Sequence, residues 1–163
     1  MQFITGKVAI ILINWNSYQD TIECLKSLSS LSYEEFEVYV VDNNSSDNSL
    51  ALLSSMKEKG EFQFALNIIG SDKNLGFAGG NNLALREVLN KEFEYVWLLN
   101  NDTVVDRNSL EHLVKEINKE NDIGIVGSKI YYYNSSTIWF AGGKINKWTG
   151  NTRHIGIDEI DNG

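Results

Sequence analysis

Three polar residues follow an apolar run in the middle of the chain, and their side chains could bind a metal ion. Asn100, Asn101 and Asp102 come directly after the run Tyr95–Leu99. Apolar runs of this length are typical of buried strands, so we expect the triplet at the carboxyl end of one. Open α/β sheets bind ligands at that end. Because hard divalent cations prefer oxygen ligands and a partner phosphate, the triplet predicts a metal–phosphate site.

Polar clusters also follow the three other predicted strands of this kind. They are Asn14-Trp15-Asn16, Asp42-Asn43-Asn44 and Asn74-Leu75-Gly76. Turns favour Asn, Asp and Gly, so each cluster taken alone is consistent with an ordinary turn. A parallel sheet would nevertheless bring all four loops to one edge. Their repetition at successive strand ends therefore favours a binding site.

Individual residues of these loops suggest more specific contacts. Asp42 could accept hydrogen bonds from a ribose or a base, although it could equally cap the turn that it begins. Gly76, Gly79 and Gly80 permit close approach of the backbone, and the following helix offers free amides to a phosphate. The loop is not a P-loop, because no Gly-Lys-Ser/Thr follows. Asp102 is the best metal-ligand candidate, unless it only caps a turn.

Apolar strands alternate with amphipathic helices from residue 8 to residue 140, in the order βαβαβαβαββ. Val8–Ile13 is continuously apolar and β-branched, which predicts a central strand buried on both faces. The capping pattern at Asp20 predicts that the first helix begins there. The alternation implies an α/β fold with a mostly parallel sheet and helices on both faces. After Phe140 the apolar pattern weakens, and we expect a loop, a flexible segment or the start of a further part that is cut short.

The composition disfavours several classes of protein. The formal net charge of −8 argues against a non-specific nucleic-acid binder, which normally carries a basic face. No stretch approaches the roughly 20 apolar residues of a transmembrane segment. Cys24 is the single cysteine, so no intramolecular disulfide can form. It lies in a predicted helix without a histidine nearby, which favours an inert, packed thiol over a nucleophile.

Taken together, the four polar segments resemble the inverting glycosyltransferases of family 2, which have the Rossmann-like GT-A fold. The segments are Ile13–Asn16, Val41–Asp47, Asn74–Asn82 and Leu98–Thr103. The most similar branch contains rhamnosyltransferase-like enzymes that build surface polysaccharides. The resemblance implies a nucleotide-sugar-binding domain over residues 1–140. Residues 141–163 would then be a tail or the start of a truncated acceptor and catalytic half.

The resemblance also implies that the loops bind a nucleoside-diphosphate sugar linked to dTDP, UDP or GDP. The first two loops would contact the nucleotide, with the carboxylate of the second on its base or ribose. The later loops would surround the ribose and the diphosphate. The implied donor-binding residues are Asn14, Asn16, Asp42, Asn74, Gly76, Asn81, Asn100 and Asn101.

The polar triplet at residues 100–102 matches the DxD metal motif of the family, with Asn100 in place of the first aspartate. Asp102 would hold Mg²⁺ or Mn²⁺ against the diphosphate, and the missing charge predicts weak metal affinity without nucleotide. Inverting transfer also needs a carboxylate base, which in the family follows well after the metal motif. No residue after Phe140 matches it, so we expect the base beyond Gly163 and an incomplete transferase here.

The family further implies a glycan or lipid-linked acceptor and a cytoplasmic location, either free or peripheral at the inner face of the membrane. An alternative is a nucleotide-binding or interaction module without transfer chemistry. A third class, the nucleotidyltransferases, would carry a glycine-rich loop with a basic residue after the first strand. The segment after Ile13 has neither. Metal-dependent binding of nucleotides separates the first two hypotheses.

Overall fold

The computed structural model describes residues 6–162. The chain divides into two compact units, Met1–Val114 and Lys115–Gly163. The sequence predicts a boundary near residue 140, between the donor-binding domain and the rest of the chain. The division into compact units does not test it, and it stays a prediction. The helices and strands of the first unit, the last of which runs past its boundary, are β1 (Val8–Asn14), α1 (Tyr18–Leu28), β2 (Phe36–Asp42), α2 (Ser49–Lys59), β3 (Ala65–Gly70), α3 (Gly76–Val88), β4 (Tyr95–Leu98) and α4 (Ser109–Ile117).

The four strands form one parallel sheet in the order β3-β2-β1-β4. β1 and β2 pair along their whole length, from Val8 opposite Phe36 to Asn14 opposite Asp42. The chain adds β2 and β3 on one side of β1 and then returns to add β4 on the other. The reversal of strand order therefore lies between β1 and β4. In open α/β sheets, ligands bind in the crevice at such a reversal.

Both faces of the two central strands are buried, as the continuous apolar run of β1 predicts. α1, α2 and α4 cover one face, where Ile10 and Leu12 of β1 lie in the core. α3 covers the other face, where Ala9 and Ile11 lie in a second cluster. Successive strand residues point to opposite faces, so a strand covered on both sides must be apolar throughout. The α/β fold with a mostly parallel sheet and helices on both faces is confirmed.

β4 is an edge strand, and the prediction that it is a buried strand is wrong for one of its faces. Tyr95 and Trp97 pack against the core under α1. Val96 and Leu98 point to the opposite face and remain 38% and 49% exposed. α3 packs on β1 and β2 and leaves them uncovered. An apolar run specifies a strand but not whether a second helix will cover it.

Two local features set the geometry of the loops beside the sheet. α1 begins at Tyr18 with Ser17 as its N-cap, so the capping pattern placed its start too late. Thr21 consequently lies inside the first turns of the helix and is fully buried. In α3, a Cβ on Gly80 would come within 3.1 Å of Ile13 Cδ1. The glycine therefore lets α3 lie close against the end of β1.

The second unit contains two antiparallel pairs of short strands. β5 (Ile130–Tyr131) pairs with β6 (Ile138–Phe140), and β7 (Gly143–Ile145) pairs with β8 (Thr152–His154). Prediction from the sequence gave a loop or flexible segment after residue 140, and the β7–β8 hairpin corrects it. The residues of both strands are exposed, so the hairpin has no apolar alternation that could reveal it.

None of the helices in residues 6–162 is both long enough and apolar enough to cross a membrane.

We expect Leu25→Ala to lower the free energy of unfolding by about 2–5 kcal/mol, because it leaves a cavity in the core. Leu25 of α1 is fully buried in the cluster that joins this helix to the sheet. Leu89, which follows α3, is 77% exposed. Leu89→Ala removes the same atoms and should change stability by no more than about 0.5 kcal/mol. Urea denaturation measures both, and equal losses would contradict the assigned core.

Candidate functional site

The loops that follow the four parallel strands surround one open cleft at the carboxyl edge of the sheet. Its volume is about 320 Å³, at the low end of the range for small-molecule sites. Aromatic and apolar side chains form part of the wall, and amide side chains form the rest. The lining residues are Ile13, Trp15, Asn43, Asn74, Gly76, Phe77, Leu99, Asn100 and Asn101.

The residues expected to bind a donor fall into two groups around this cleft. The later loops contribute lining residues, whereas most of the expected residues near the ends of β1 and β2 do not line the cleft. Those that line the cleft are Asn74, Gly76, Asn100 and Asn101. Those that do not are Asn14, Asn16, Asp42, Asn81 and Asp102.

Asp42 is 2% exposed and organises the loop that follows β2. Asn14 Nδ2 and Ser45 Oγ donate to Asp42 Oδ2 at 2.8 and 2.7 Å. The Ser45 amide donates to Asp42 Oδ1 at 3.0 Å. The carboxylate therefore caps the turn, which is one of the two roles that the sequence left open. Since a carboxylate accepts about four hydrogen bonds, Oδ1 has room for one further donor.

Asn16 joins the loop after β1 to the loop after β2. Its φ of +53° lies in the left-handed region, which asparagine tolerates better than most residues. Its amide donates to Ser45 Oγ at 2.9 Å, and its Oδ1 accepts from the Ser46 amide at 2.7 Å. Asn16 is thus exposed but its side-chain oxygen is engaged within the protein. The two loops behave as one hydrogen-bonded layer.

Asn43 holds the loop between β3 and α3 in place. Its side chain is buried, and its Nδ2 donates to Asn74 Oδ1 at 3.1 Å and to the Gly76 carbonyl at 3.2 Å. Its Oδ1 accepts from the Leu75 amide at 2.9 Å. These three bonds fix the entry into α3 beside the cleft. Gly76, with a φ of +67°, starts the helix in a conformation that favours glycine.

The positive amino-terminal end of the α3 dipole has neither an N-cap side chain nor an acidic residue to offset it. The N-cap residue, Leu75, makes no side-chain cap, and the first turn has no acidic residue. Asn74 Oδ1 accepts from the Gly76 amide at 2.8 Å, which leaves the later amides of the turn. The first amides of a helix have no partner inside it, and they carry the positive end of the helix dipole. Asn81 lies one turn into α3 and donates to the Phe77 carbonyl at 2.9 Å. This end of α3 is therefore suited to an anion.

The turn after β4 is anchored to α1 and carries an exposed carboxylate. Asn101 Nδ2 donates to Ser17 Oγ at 2.8 Å and to Thr21 Oγ1 at 2.9 Å. Thr103 Oγ1 donates to the Asn100 carbonyl at 2.7 Å. Asp102 is exposed. In the described residues no three His, Cys, Asp or Glu side chains gather as metal ligands.

Cys24, the single cysteine, lies next to this turn, and its surroundings make its thiol unreactive. Cys24 Sγ is 3.8 Å from the Asn100 carbonyl oxygen and 3.9 Å from Thr103 Oγ1. Burial raises the pKa of Cys24 to about 11, and the charge of Asp102 acts in the same direction. The hydrogen bond with Thr103 only partly opposes this rise in pKa. The prediction of a packed thiol is confirmed.

Sequence reasoning assigned no role to several residues that build the site. Thr21 was hidden within the capping pattern, and Ser45 within a run of turn-forming residues. Asn43 was recognised only as part of a polar cluster. Most of their partners are distant along the chain, as are Asn101 for Thr21 and Asn74 for Asn43, so spacing alone carries no signal for these bonds. Phe77 became visible as part of the wall only through its place in the cleft.

The chain is similar to known proteins over most of its length. The family described as glycosyl transferase family 2 matches residues 9–161. Poly-beta-1,6-N-acetyl-D-glucosamine synthase of Staphylococcus epidermidis is 26% identical over 131 residues, which is 80% of this chain and 30% of that protein. The chain therefore spans less than a third of the length of this relative.

Solved structures share the fold. A mannosyltransferase from Pyrobaculum calidifontis in complex with GDP-Man and Mn²⁺ has a TM-score of 0.66 at 24% identity, over 78% of this chain and 36% of that chain. TarS 1-349 from S. aureus in complex with UDP-GlcNAc has a TM-score of 0.58 at 25% identity, over 79% of this chain and 41% of that chain. The predicted GT-A fold is confirmed.

We expect Cys24 to resist alkylation while the protein is folded. With its pKa raised to about 11, only about a thousandth of the thiol is ionised at pH 8. In urea the thiol regains its ordinary pKa, and iodoacetamide should react at least about 100-fold faster. Mass spectrometry follows both reactions, with Cys24→Ala as the unlabelled control. Equal rates in the folded and unfolded protein would contradict the buried position of Cys24.

Proposed function

The chain belongs to glycosyl transferase family 2, and we propose that its first unit binds a nucleoside-diphosphate sugar in the cleft. The observation that carries this proposal is that residues from the loops after all four strands line one cleft. The cleft lies at the sheet edge where ligands of open α/β folds bind. Family relatives support it, since TarS has been solved with UDP-GlcNAc.

The walls of the cleft suit the nucleoside part of a donor. Trp15 and Phe77 are lining residues with about half of their surface exposed. Exposed rings in a cleft offer flat apolar surfaces to a base or a ribose. We assign Asp42 to the polar contact with base or ribose, through the acceptor position that Oδ1 retains. Asn14 and Asn16, which do not line the cleft, would act by holding that carboxylate and its loop in place.

The amino-terminal end of α3 suits the diphosphate. A diphosphate is an anion, and the amides of the first turn that follow Gly76, together with the positive end of the helix dipole, favour one. Asn74 and Gly76 line the cleft at the same point. Asn81 would support the first turn through its bond to the Phe77 carbonyl. A chain with a net charge of −8 needs such a local positive feature to attract an anionic donor.

We assign a divalent cation, Mg²⁺ or Mn²⁺, to Asp102 and the neighbouring amide side chains of Asn100 and Asn101. A carboxylate and amide oxygens are hard oxygen donors, so the residues fit such an ion. With one carboxylate, affinity for the ion alone should be low, and the diphosphate must supply further ligands. When bound, the cation would neutralise charge that develops on the departing nucleoside diphosphate. Mn²⁺ accompanies GDP-Man in the archaeal mannosyltransferase complex.

The proposed reaction is inverting transfer of a hexosyl or rhamnosyl group to a polysaccharide or lipid-linked acceptor, in the cytoplasm or at the inner face of the membrane. The S. epidermidis relative is named for polysaccharide synthesis, which supports an acceptor of this class. The general base has no assigned residue. Two late carboxylates, Asp158 and Asp161, accept hydrogen bonds from Tyr132 and Tyr131 within the second unit. A nucleotide-binding module without transfer is the competing function.

We expect the protein to bind at least one of UDP, GDP and dTDP, and to bind it more tightly with Mn²⁺ than without. Asp102→Asn should reduce the gain in affinity that Mn²⁺ gives by a factor of at least about 10, equivalent to ~1.4 kcal/mol. The reason is that the charged ligand of the cation is lost. Binding without metal should change little. Isothermal titration calorimetry measures both affinities for each nucleotide.

The matched control is Asp122→Asn, which makes the same change at an exposed position in the second unit. It should leave both affinities unaltered. Absence of binding for all three nucleotides would overturn the proposed donor site. Binding with a full Mn²⁺ effect in Asp102→Asn would overturn the metal assignment alone. Transfer or hydrolysis of a sugar nucleotide by this chain would exclude the module without chemistry and would overturn the expectation that its base lies beyond Gly163.

A further inference from the structure

A chain of buried hydrogen bonds links the ends of β2, β1 and β4 through one residue of α1. Asn14 Nδ2 donates to Asp42 Oδ2 at 2.8 Å, and Thr21 Oγ1 donates to Asn14 Oδ1 at 2.8 Å. Asn101 Nδ2 then donates to Thr21 Oγ1 at 2.9 Å. Asn14 and Thr21 are fully buried. Among the residues joined by these hydrogen bonds, Thr21 is the one that belongs to a helix.

The direction of every bond in this chain follows from the carboxylate at its end. A carboxylate only accepts, so Asn14 must turn its amide nitrogen towards Asp42 and its carbonyl oxygen towards Thr21. The Thr21 hydroxyl has a single proton and two acceptors within reach, Asn14 Oδ1 at 2.8 Å and the Ser17 carbonyl oxygen at 3.2 Å. It gives the proton to Asn14 Oδ1, the nearer acceptor. Its lone pairs can then only accept, which requires the amide nitrogen of Asn101. The charge of Asp42 thus determines which atom Asn101 turns towards α1.

Ser17 completes the constraint on Asn101. Serine at an N-cap position normally accepts a hydrogen bond from the first turn, but Ser17 makes no such bond. Its hydroxyl instead accepts the other proton of Asn101 Nδ2, at 2.8 Å. Both amide protons of Asn101 are now engaged with α1. The carbonyl oxygen is the atom left for the cleft, which Asn101 lines.

We propose that Thr21 is a positioning residue that directs the carbonyl oxygen of Asn101 into the donor cleft, as an oxygen ligand beside Asp102 for the cation. The role assumes the donor site proposed above, although the hydrogen bonds themselves do not depend on it. An amide rotated by 180° would present N–H groups, which repel a cation. Thr21 therefore controls metal-dependent binding without itself lining the cleft.

The test compares Thr21→Val, which keeps the shape and removes the hydroxyl, with Thr21→Ser, which keeps the hydroxyl. The measured quantity is the ratio of UDP, GDP or dTDP affinity with Mn²⁺ to that without. We expect Thr21→Val to lower this ratio about tenfold, a loss of the size seen for groups that orient metal ligands. Thr21→Ser should keep the ratio within about twofold of the unmodified protein. A Thr21→Val protein with an unchanged ratio overturns the proposal.

Ser17→Ala provides a second variant should Thr21→Val fail to fold. Because the Ser17 hydroxyl does not cap α1, its loss should barely lower the unfolding midpoint, yet it should lower the Mn²⁺ ratio. A lower midpoint with an unchanged ratio would assign the hydroxyl to stability and overturn the proposal.

A ligand-free measurement separates this inference from the donor site. In ¹H–¹⁵N spectra the side-chain amide protons of Asn101 should exchange with water more slowly than those of exposed Asn82. The protection should fall in Thr21→Val and persist in Thr21→Ser. Equal exchange for Asn101 and Asn82 overturns the inference. Protection without any Mn²⁺ effect in the unmodified protein supports the hydrogen bonds and overturns only the metal site.

Discussion

The buried carboxylate of Asp42 is the constraint on which the rest of the site depends. Burying a charge costs several kcal/mol unless hydrogen bonds compensate it. The in-register pairing of β1 and β2 places Asn14 opposite Asp42, and Ser45 supplies the remaining donors. Asn14 ends β1 and Ser45 belongs to the loop after β2, so compensation of the charge also fixes that loop against β1. The hydrogen bonds then continue through Thr21 of α1 to the turn after β4, where they hold Asn101.

The candidate site combines two kinds of polar group: those that make their hydrogen bonds within the protein, and those that remain available to a ligand in the cleft. The polar side chains near the ends of β1 and β2 use most of their hydrogen-bonding capacity on one another. At the cleft, the first turn of α3 has no acidic residue and no cap from its N-cap residue, and Asp102 is exposed. Binding energy is largest where a rigid frame presents preorganised polar groups. This division is what a site for an anionic donor with a cation requires.

Prediction from the sequence succeeded where the signal was local and failed where it was tertiary. The continuous apolar run of β1 and the polar turn at residues 100–102 correctly located strand ends at one edge. The same type of apolar run did not show that β4 lies at the edge of the sheet, because the covering of Val96 depends on a distant helix. Thr21 was read as part of a cap, although its partners lie at residues 14 and 101. The β7–β8 hairpin has exposed strands, so no periodic pattern marked it.

Paramagnetic broadening by Mn²⁺ tests most directly whether the carboxyl edge holds a nucleotide and a cation. In ¹H–¹⁵N spectra recorded with UDP, GDP or dTDP, the amide signals of Asn101, Asp102 and Gly76 should broaden most. Signals at the amino ends of the strands, such as those of Lys7 and Lys91, should stay sharp. Without nucleotide the broadening should be much weaker, because one carboxylate binds the ion poorly. Strongest broadening at the amino ends, or none with any nucleotide, would contradict the site.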